Sequence, residues 1–320
     1  MQPAPLEEAI AATLVPVFGE GVKVDELHRL AGGSSRETWS FRLRTARQDQ
    51  RLVLRCDPPG APSSGLALEA RLLDAAAGAG VPVPPVVASG GAGEVIGAAF
   101  VIVGYVEGET LPRRVLRLVQ ECGTGDATAA QCGRILARLH TVAPASVPGL
   151  PGGDPLEQLR GALDHIGEPH PALELGMRRL AGCRPARSAE TVVHGDFRTG
   201  NLIVGEDGIR AVLDWELAHR GDPLEDLGWL CARAWRFGSP LPVGGFGSLD
   251  VLVRAYQDAG GVPVDPGALR WWEALAALRW GVICMVQAHT HLSGALRSLE
   301  LAAIGRRTCE AEWDLLELLP

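Results

Sequence analysis

Residues 190–216 read ETVVHGDFRTGNLIVGEDGIRAVLDWE: three short apolar runs, TVV, LIV and AVL, separated by polar turns. Each run is too short for a helix and is bounded by Gly or Asp, and GEDG has the composition of a tight hairpin turn. On both sides the spacing is helical instead. DATAAQCGRILARLHT (126–141) is amphipathic, 154–165 and 170–181 look similar, and a long segment from about 269 to 291 carries Trp271, Trp272, Trp280 and Met285. A hairpin enclosed by helices requires a mixed α+β protein.

The first third has a different character. Residues 1–20 read as a helix, and the stretch from Val24 to Thr45 alternates and breaks at Gly32 and Gly33, as two strands joined by a glycine turn would. RLVLRCD is a third strand, LALEARLLDAAAGA a helix ending at glycine, and VPVPPVVASG and AAFVIVGYVEG are proline-stopped and apolar strands. At 320 residues the chain exceeds one compact core. The change of character near residue 108 predicts two lobes, residues 1–107 and 108–320.

Composition narrows the partners. The chain is 47% hydrophobic and 21% charged, with no apolar run of the ~20 residues that crosses a bilayer. Its first residues, MQPAPLEEAIAATLV, are acidic where a secretory signal is basic. Seven scattered cysteines without a CxxC pair suit reduced thiols, so the expectation is a soluble, cytoplasmic protein. A net charge of −8 argues against nucleic acid and leaves small molecules open. Lys23 is the only lysine.

In HGDFRTGN, Asp196 and Asn201 stand five apart directly after an apolar strand, and Asp214 follows the hairpin. An Asp, an Asn and a second Asp brought to one sheet edge are hard oxygen ligands suited to Mg²⁺, with one carboxylate left to orient an attacking hydroxyl. The small residues of AGGSSRETWSF could let backbone amides approach phosphate oxygens, although a plain hairpin turn explains them equally well. His289 and His291 form an HxH at a helix end with no third ligand at suitable spacing.

HGDFRTGNLIV followed by VLDWELAHRGDPLEDLGWL resembles the signature of aminoglycoside phosphotransferases and the related choline kinase-like enzymes. The order of elements along the rest of the chain resembles that family too. The resemblance implies a bilobal protein-kinase-like fold: an antiparallel sheet plus one helix over ATP, and a larger helical lobe holding the catalytic hairpin and the acceptor. It implies Asp196 as catalytic base, Asn201 and Asp214 as Mg²⁺ ligands, and ATP as co-substrate, with GTP an open alternative. Gly33 and Ser34 in the glycine turn, Arg55, Glu69, and the backbone of Gly104 and Val106 would bind nucleotide. His194, Asp222 and Asp226 would support the loop.

The chain departs from the family at Arg55, where a lysine normally contacts the phosphates. A guanidinium stays charged and binds phosphate as a planar fork, and Glu69 is placed to pair with it. Together, GGSSRETWSF and LVLRCDPPG resemble the subgroup associated with acyl-CoA dehydrogenases, which points to a hydroxyacyl-CoA as the small hydroxylated acceptor. An aminoglycoside-resistance kinase and a nucleotide-binding pseudoenzyme are the alternatives.

Overall fold

A computed structural model describes residues 3–30, 36–58, 65–92 and 95–319. Helix α1 (Pro3–Phe18) is followed by strands β1 (Lys23–Arg29), β2 (Glu37–Arg44) and β3 (Asp49–Cys56), helix α2 (Leu66–Gly78), and strands β4 (Val86–Gly90) and β5 (Phe100–Gly104). The strands form one antiparallel sheet in the order β1-β2-β3-β5-β4.

Strand parity decides what each face of this sheet carries. Successive side chains alternate sides, so Trp39, Phe41 and Leu43 of β2 share a face with Leu52, Leu54 and Cys56 of β3, in register Trp39 opposite Leu54 and Phe41 opposite Leu52. That face buries Leu6, Ile10 and Leu14 of α1. The odd residues of β3 point the other way, toward α2, and Arg55 is one of them. One residue of slip would turn Arg55 into the α1 core and expose the leucines.

The second lobe begins with α3 (Pro112–Glu121) and α4 (Gly125–Leu139), then α5 (Pro155–Ile166) and α6 (Pro171–Gly182). Strand β6 (Thr191–Val193) precedes the hairpin of β7 (Leu202–Gly205) and β8 (Gly208–Val212), and β6 pairs antiparallel with β9 (His219–Gly221). Helices α7 (Leu224–Cys231), α8 (Leu249–Asp258), α9 (Pro266–Leu292), α10 (Leu299–Gly305) and α11 (Thr308–Leu318) complete it. The sequence reading missed α3 and the β6–β9 pair. HRG has no apolar alternation of its own, and becomes a strand because Val192 and Val193 lie opposite Arg220 and His219.

Helix α9 is the axis of this lobe. Asp265 caps it by accepting the Ala268 N–H at 2.7 Å, Pro266 opens its first turn, and it is buried on nearly all sides along its first two-thirds. His289 and His291 lie in its last turn. Backbone joins the lobes where Val212 N–H donates to Pro82 O at 2.8 Å, and just past the boundary Glu109 and Val204 exchange N–H···O bonds of 2.8 and 3.0 Å.

Gly228 of α7 meets α9 at closest approach, where a Cβ would lie 2.7 Å from the backbone carbon of Trp272. In an open helix Gly→Ala gains about 1 kcal/mol. Here overpacking of about 1–3 kcal/mol outweighs it, so Gly228→Ala is expected to lower the melting temperature in a calorimetric scan. A gain in stability would show that α7 and α9 separate without cost.

Candidate functional site

The loop between β6 and β7 is held from below by one carboxylate. Asp226, wholly buried on α7, accepts the backbone N–H groups of His194 at 2.8 Å and Gly195 at 2.9 Å, and its Oδ2 lies 3.2 Å from His140 Nε2. Burial pushes the Asp226 carboxyl upward, but the His140 bond and the surrounding donors hold it below the usual carboxylate range. Asp222 plays a similar part outside the loop, accepting Leu224 N–H at 2.9 Å at the start of α7 and Ser188 N–H at 2.7 Å. Gly195 has φ +77°, and a Cβ there would sit 2.4 Å from Leu217 O, so only glycine lets the loop pass.

His194 is a strut. Its Nε2 lies 3.1 Å from Leu213 O and its Nδ1 3.1 Å from Asp196 N. Because the first is an acceptor and the second a donor, the ring is the neutral Nε2–H tautomer. Burial pushes its pKa down, against the pull of Asp226, Asp196 and Asp214.

Asp196 is buried and aimed by three donors. Oδ1 accepts Trp229 Nε1–H at 2.8 Å and Arg198 Nε–H at 2.9 Å, while Oδ2 accepts Asn201 Nδ2–H at 2.6 Å. Each carboxylate oxygen has two lone pairs, so Oδ1 is filled and Oδ2 keeps one. Asn201 Nδ2 also donates to Asp196 O at 2.9 Å, which spends the amide nitrogen and leaves Oδ1 of Asn201 as the outward group. Leu213 N–H donates to Asn201 O at 2.8 Å, bringing Asp214 alongside. Asp214 has φ +67°, a left-handed conformation that Asp tolerates and that clusters at functional sites.

Asn201 and Asp214 thus supply two hard oxygens suited to Mg²⁺. Among the described residues no cluster of three or more His, Cys, Asp or Glu could hold a metal. This donor set fits Mg²⁺, which takes one or two protein oxygens and completes its shell with phosphates and water.

Across from this edge, Arg55 pairs with Glu69, and its NH2 lies 3.5 Å from Asp214 Oδ1. Glu69 is fully buried and pairs also with Arg36. Arg36 NH1 lies 3.8 Å from Glu216 Oε2. Burial and then the charge of Asp214 push the Glu216 carboxyl upward. Gly104 N–H is committed to Pro85 O at 2.9 Å, which leaves it unable to donate to a base, whereas Val106 N–H has no backbone partner among the described residues. Gly33 and Ser34 lie outside the described residues.

Sequence reading missed Arg36, Arg198, Trp229 and Glu216. All four lie inside stretches it had singled out, but their partners stand at distances of 2 to 180 residues along the chain, and periodicity carries no signal for such pairs. Trp229 also lines a depression of about 250 Å³ with Glu216, Leu217, His219, Glu225 and Arg279. That depression shares Gly152, Gly153, Pro155, His219, Glu225 and Trp272 with a larger one of about 400 Å³ reaching Arg184, Arg187 and Arg220. Glu225 is paired, with His219 at 3.1 Å and Arg279 at 3.0 Å. Burial alone would depress the His219 pKa, but Glu225 raises it above the usual imidazole value. Arg279 lies over the Trp229 ring at 4.6 Å.

A sheet-and-helix lobe over a hairpin bearing Asp196, Asn201 and Asp214 is the bilobal architecture of kinase-like phosphotransferases. The chain belongs to the phosphotransferase enzyme family, whose model matches residues 26–272. It is 32% identical over 240 residues to acyl-CoA dehydrogenase family member 10 of Mus musculus, an alignment covering 71% of this chain and 22% of that protein. The chain therefore matches about a fifth of the length of that relative. Among solved structures it is similar to a candidate aminoglycoside phosphotransferase from Ralstonia eutropha, with a TM-score of 0.74, 25% identity, and 98% and 97% of the two chains covered. An aminoglycoside phosphotransferase solved with ADP bound shares the fold at a TM-score of 0.60 and 18% identity, over 99% of each chain.

Asp226→Asn would set an amide N–H₂ against backbone and imidazole donors. Breaking a fully buried, hydrogen-bonded charge costs about 3–5 kcal/mol, and the expected result is a melting temperature lower by several degrees. An unchanged thermal transition would remove Asp226 as the support of the loop.

Proposed function

We propose that the protein transfers the γ-phosphoryl group of ATP to a hydroxyl of a small molecule, with Asp196 as the catalytic base. The observation that carries this reading is the triple hold on Asp196, which leaves one lone pair of Oδ2 facing an edge shared with Asn201 and Asp214. Asp196 accepts the proton of the acceptor hydroxyl on that oxygen. The acceptor oxygen forms its bond to the γ-phosphorus as the bond from that phosphorus to the β–γ bridging oxygen breaks, and the electron pair leaves on ADP. Magnesium held by Asn201 Oδ1 and Asp214 would supply neutralisation of the phosphate charge. Arg55 faces the same edge from the other lobe as a phosphate cation, and Arg198 adds a second guanidinium beside Asp196. Adenine recognition would use the Val106 N–H and the Gly104 carbonyl, since the Gly104 N–H is spent.

For the acceptor, the reading we favour is a hydroxylated acyl thioester. The similarity to an acyl-CoA dehydrogenase family member supports it. So does the depression beside Trp229, whose walls are largely apolar and whose Glu225 is already neutralised by His219 and Arg279. A polycationic aminoglycoside would call for unpaired carboxylates there.

With purified protein, Mg²⁺ and ATP, phosphorylation of one acceptor from a panel of hydroxyacyl-CoA esters, aminoglycosides, choline and amino alcohols is the expected outcome. Asp196→Ala should reduce turnover by ~10²-fold or more while nucleotide still binds. Asp214→Ala should weaken Mg²⁺-dependent nucleotide binding itself. Nucleotide binding without turnover on any acceptor would favour a pseudoenzyme, and indifference to both substitutions would refute the site.

A further inference from the structure

Five charged side chains converge where the two lobes meet: Arg36, Arg55, Glu69, Asp214 and Glu216. Glu69 binds one guanidinium on each oxygen, Arg55 NH1 on Oε1 and Arg36 NH1 on Oε2. The Glu69 side chain is 2% exposed and that of Arg36 5%, whereas that of Arg55 is 23% exposed. Beyond Glu69 the two arginines diverge. Arg55 NH2 lies 3.5 Å from Asp214 Oδ1, and Arg36 NH1 3.8 Å from Glu216 Oε2, so each tethers one end of the segment Asp214–Glu216.

This division has a geometric cause. A guanidinium is a rigid fork that closes on a carboxylate through two parallel bonds, which a lysine ammonium cannot do. A lone Arg55 beside the buried Glu69 would gain most by engaging both oxygens, which would turn NH2 toward Glu69 and leave fewer of its five N–H groups directed at Asp214 or an arriving phosphate. With Oε2 occupied by Arg36, Arg55 reaches Glu69 through NH1 only and its NH2 stays directed at Asp214.

We infer that Arg36 is a positioning residue of the nucleotide-phosphate site: by occupying Glu69 Oε2 and tethering Glu216, it keeps the Arg55 fork open toward the Mg²⁺-bound phosphates. This rests on the phosphotransferase reading above. It also explains how an arginine at position 55 can serve where a point charge would be the simpler choice. With nucleotide bound, the NH2 group of Arg55 would exchange Asp214 for a phosphate oxygen, leaving the Asp214 carboxylate free to hold Mg²⁺.

The test is titration calorimetry of the full chain with Mg·AMP-PNP and, separately, with adenosine, which lacks phosphates. For Arg36→Met the expected result is an affinity for Mg·AMP-PNP lower by about tenfold, with adenosine affinity unchanged. Arg36→Lys, whose single ammonium can face Glu69 and Glu216 as the one NH1 nitrogen of Arg36 does, should recover much of that loss. Glu216→Gln, on a side chain 37% exposed, should weaken Mg·AMP-PNP binding in the wild-type background and add little to Arg36→Met. Equal losses for both ligands would make Arg36 merely structural, and no loss for either would overturn the inference, as would a lysine variant no better than methionine. Wild-type protein that binds adenosine but gains nothing from the Mg·triphosphate would instead sink the phosphotransferase reading, and Arg36 with it.

Discussion

A buried carboxylate on α7 organises the second lobe. Asp226 has no contact with solvent, and its oxygens are spent on two consecutive backbone N–H groups and an imidazole. Those N–H groups belong to His194 and Gly195, in a loop that leaves a strand of three residues and has no helix or ladder to satisfy it. Without an acceptor below, each would be a buried unpaired donor. With it, His194 is fixed, His194 fixes Leu213 and the Asp196 amide, and the hairpin arms bring Asn201 and Asp214 to one edge. Its anchoring on α7 also explains why the close approach of α7 to α9 matters to a loop with which α9 forms no ladder.

Charge at this site is arranged in two opposed sets. On the hairpin side, Asp196 is surrounded by donors, an indole, an amide and a guanidinium, while Asp214 stays partly exposed. On the sheet side, two arginines share one buried glutamate. Each set leaves one group incompletely satisfied and directed across the gap: Oδ2 of Asp196 and the NH2 group of Arg55. That is the condition for recognising a group carrying both a transferable phosphoryl and negative charge. The neighbouring depression, by contrast, presents apolar walls and already paired charges.

Much of this was legible in the sequence because it is local. The hairpin arms are apolar triplets around a Gly-bounded turn, the long helix carries its own Asp-Pro start, and parity along LVLRC assigns Arg55 to the face away from the leucines. The spacing within HGDFRTGN placed an Asp and an Asn in one loop, and the family resemblance implied that His194 supports them. What could not be read was pairing at a distance. The β6–β9 ladder joins segments of which one has no strand pattern. Trp229 is apolar in a helix with every reason to be core, and only the fold turns its N–H toward a carboxylate 33 residues away. Helix α3 was missed because its polar face outweighs the two buried valines, Val115 and Val119, that anchor it.

The sequence by itself therefore determined the order of most elements, the α+β class, and the residue types gathered in the hairpin between β6 and β9, all through short-range periodicity and turn chemistry. Tertiary structure alone decided which oxygen of Asp196 is left open, that the Gly104 N–H is already engaged, and that Glu69 serves Arg36 as well as Arg55. Those outcomes depend on the direction of hydrogen bonds and the sharing of buried charge between elements far apart in the chain. Such geometry exists only after the lobes have packed.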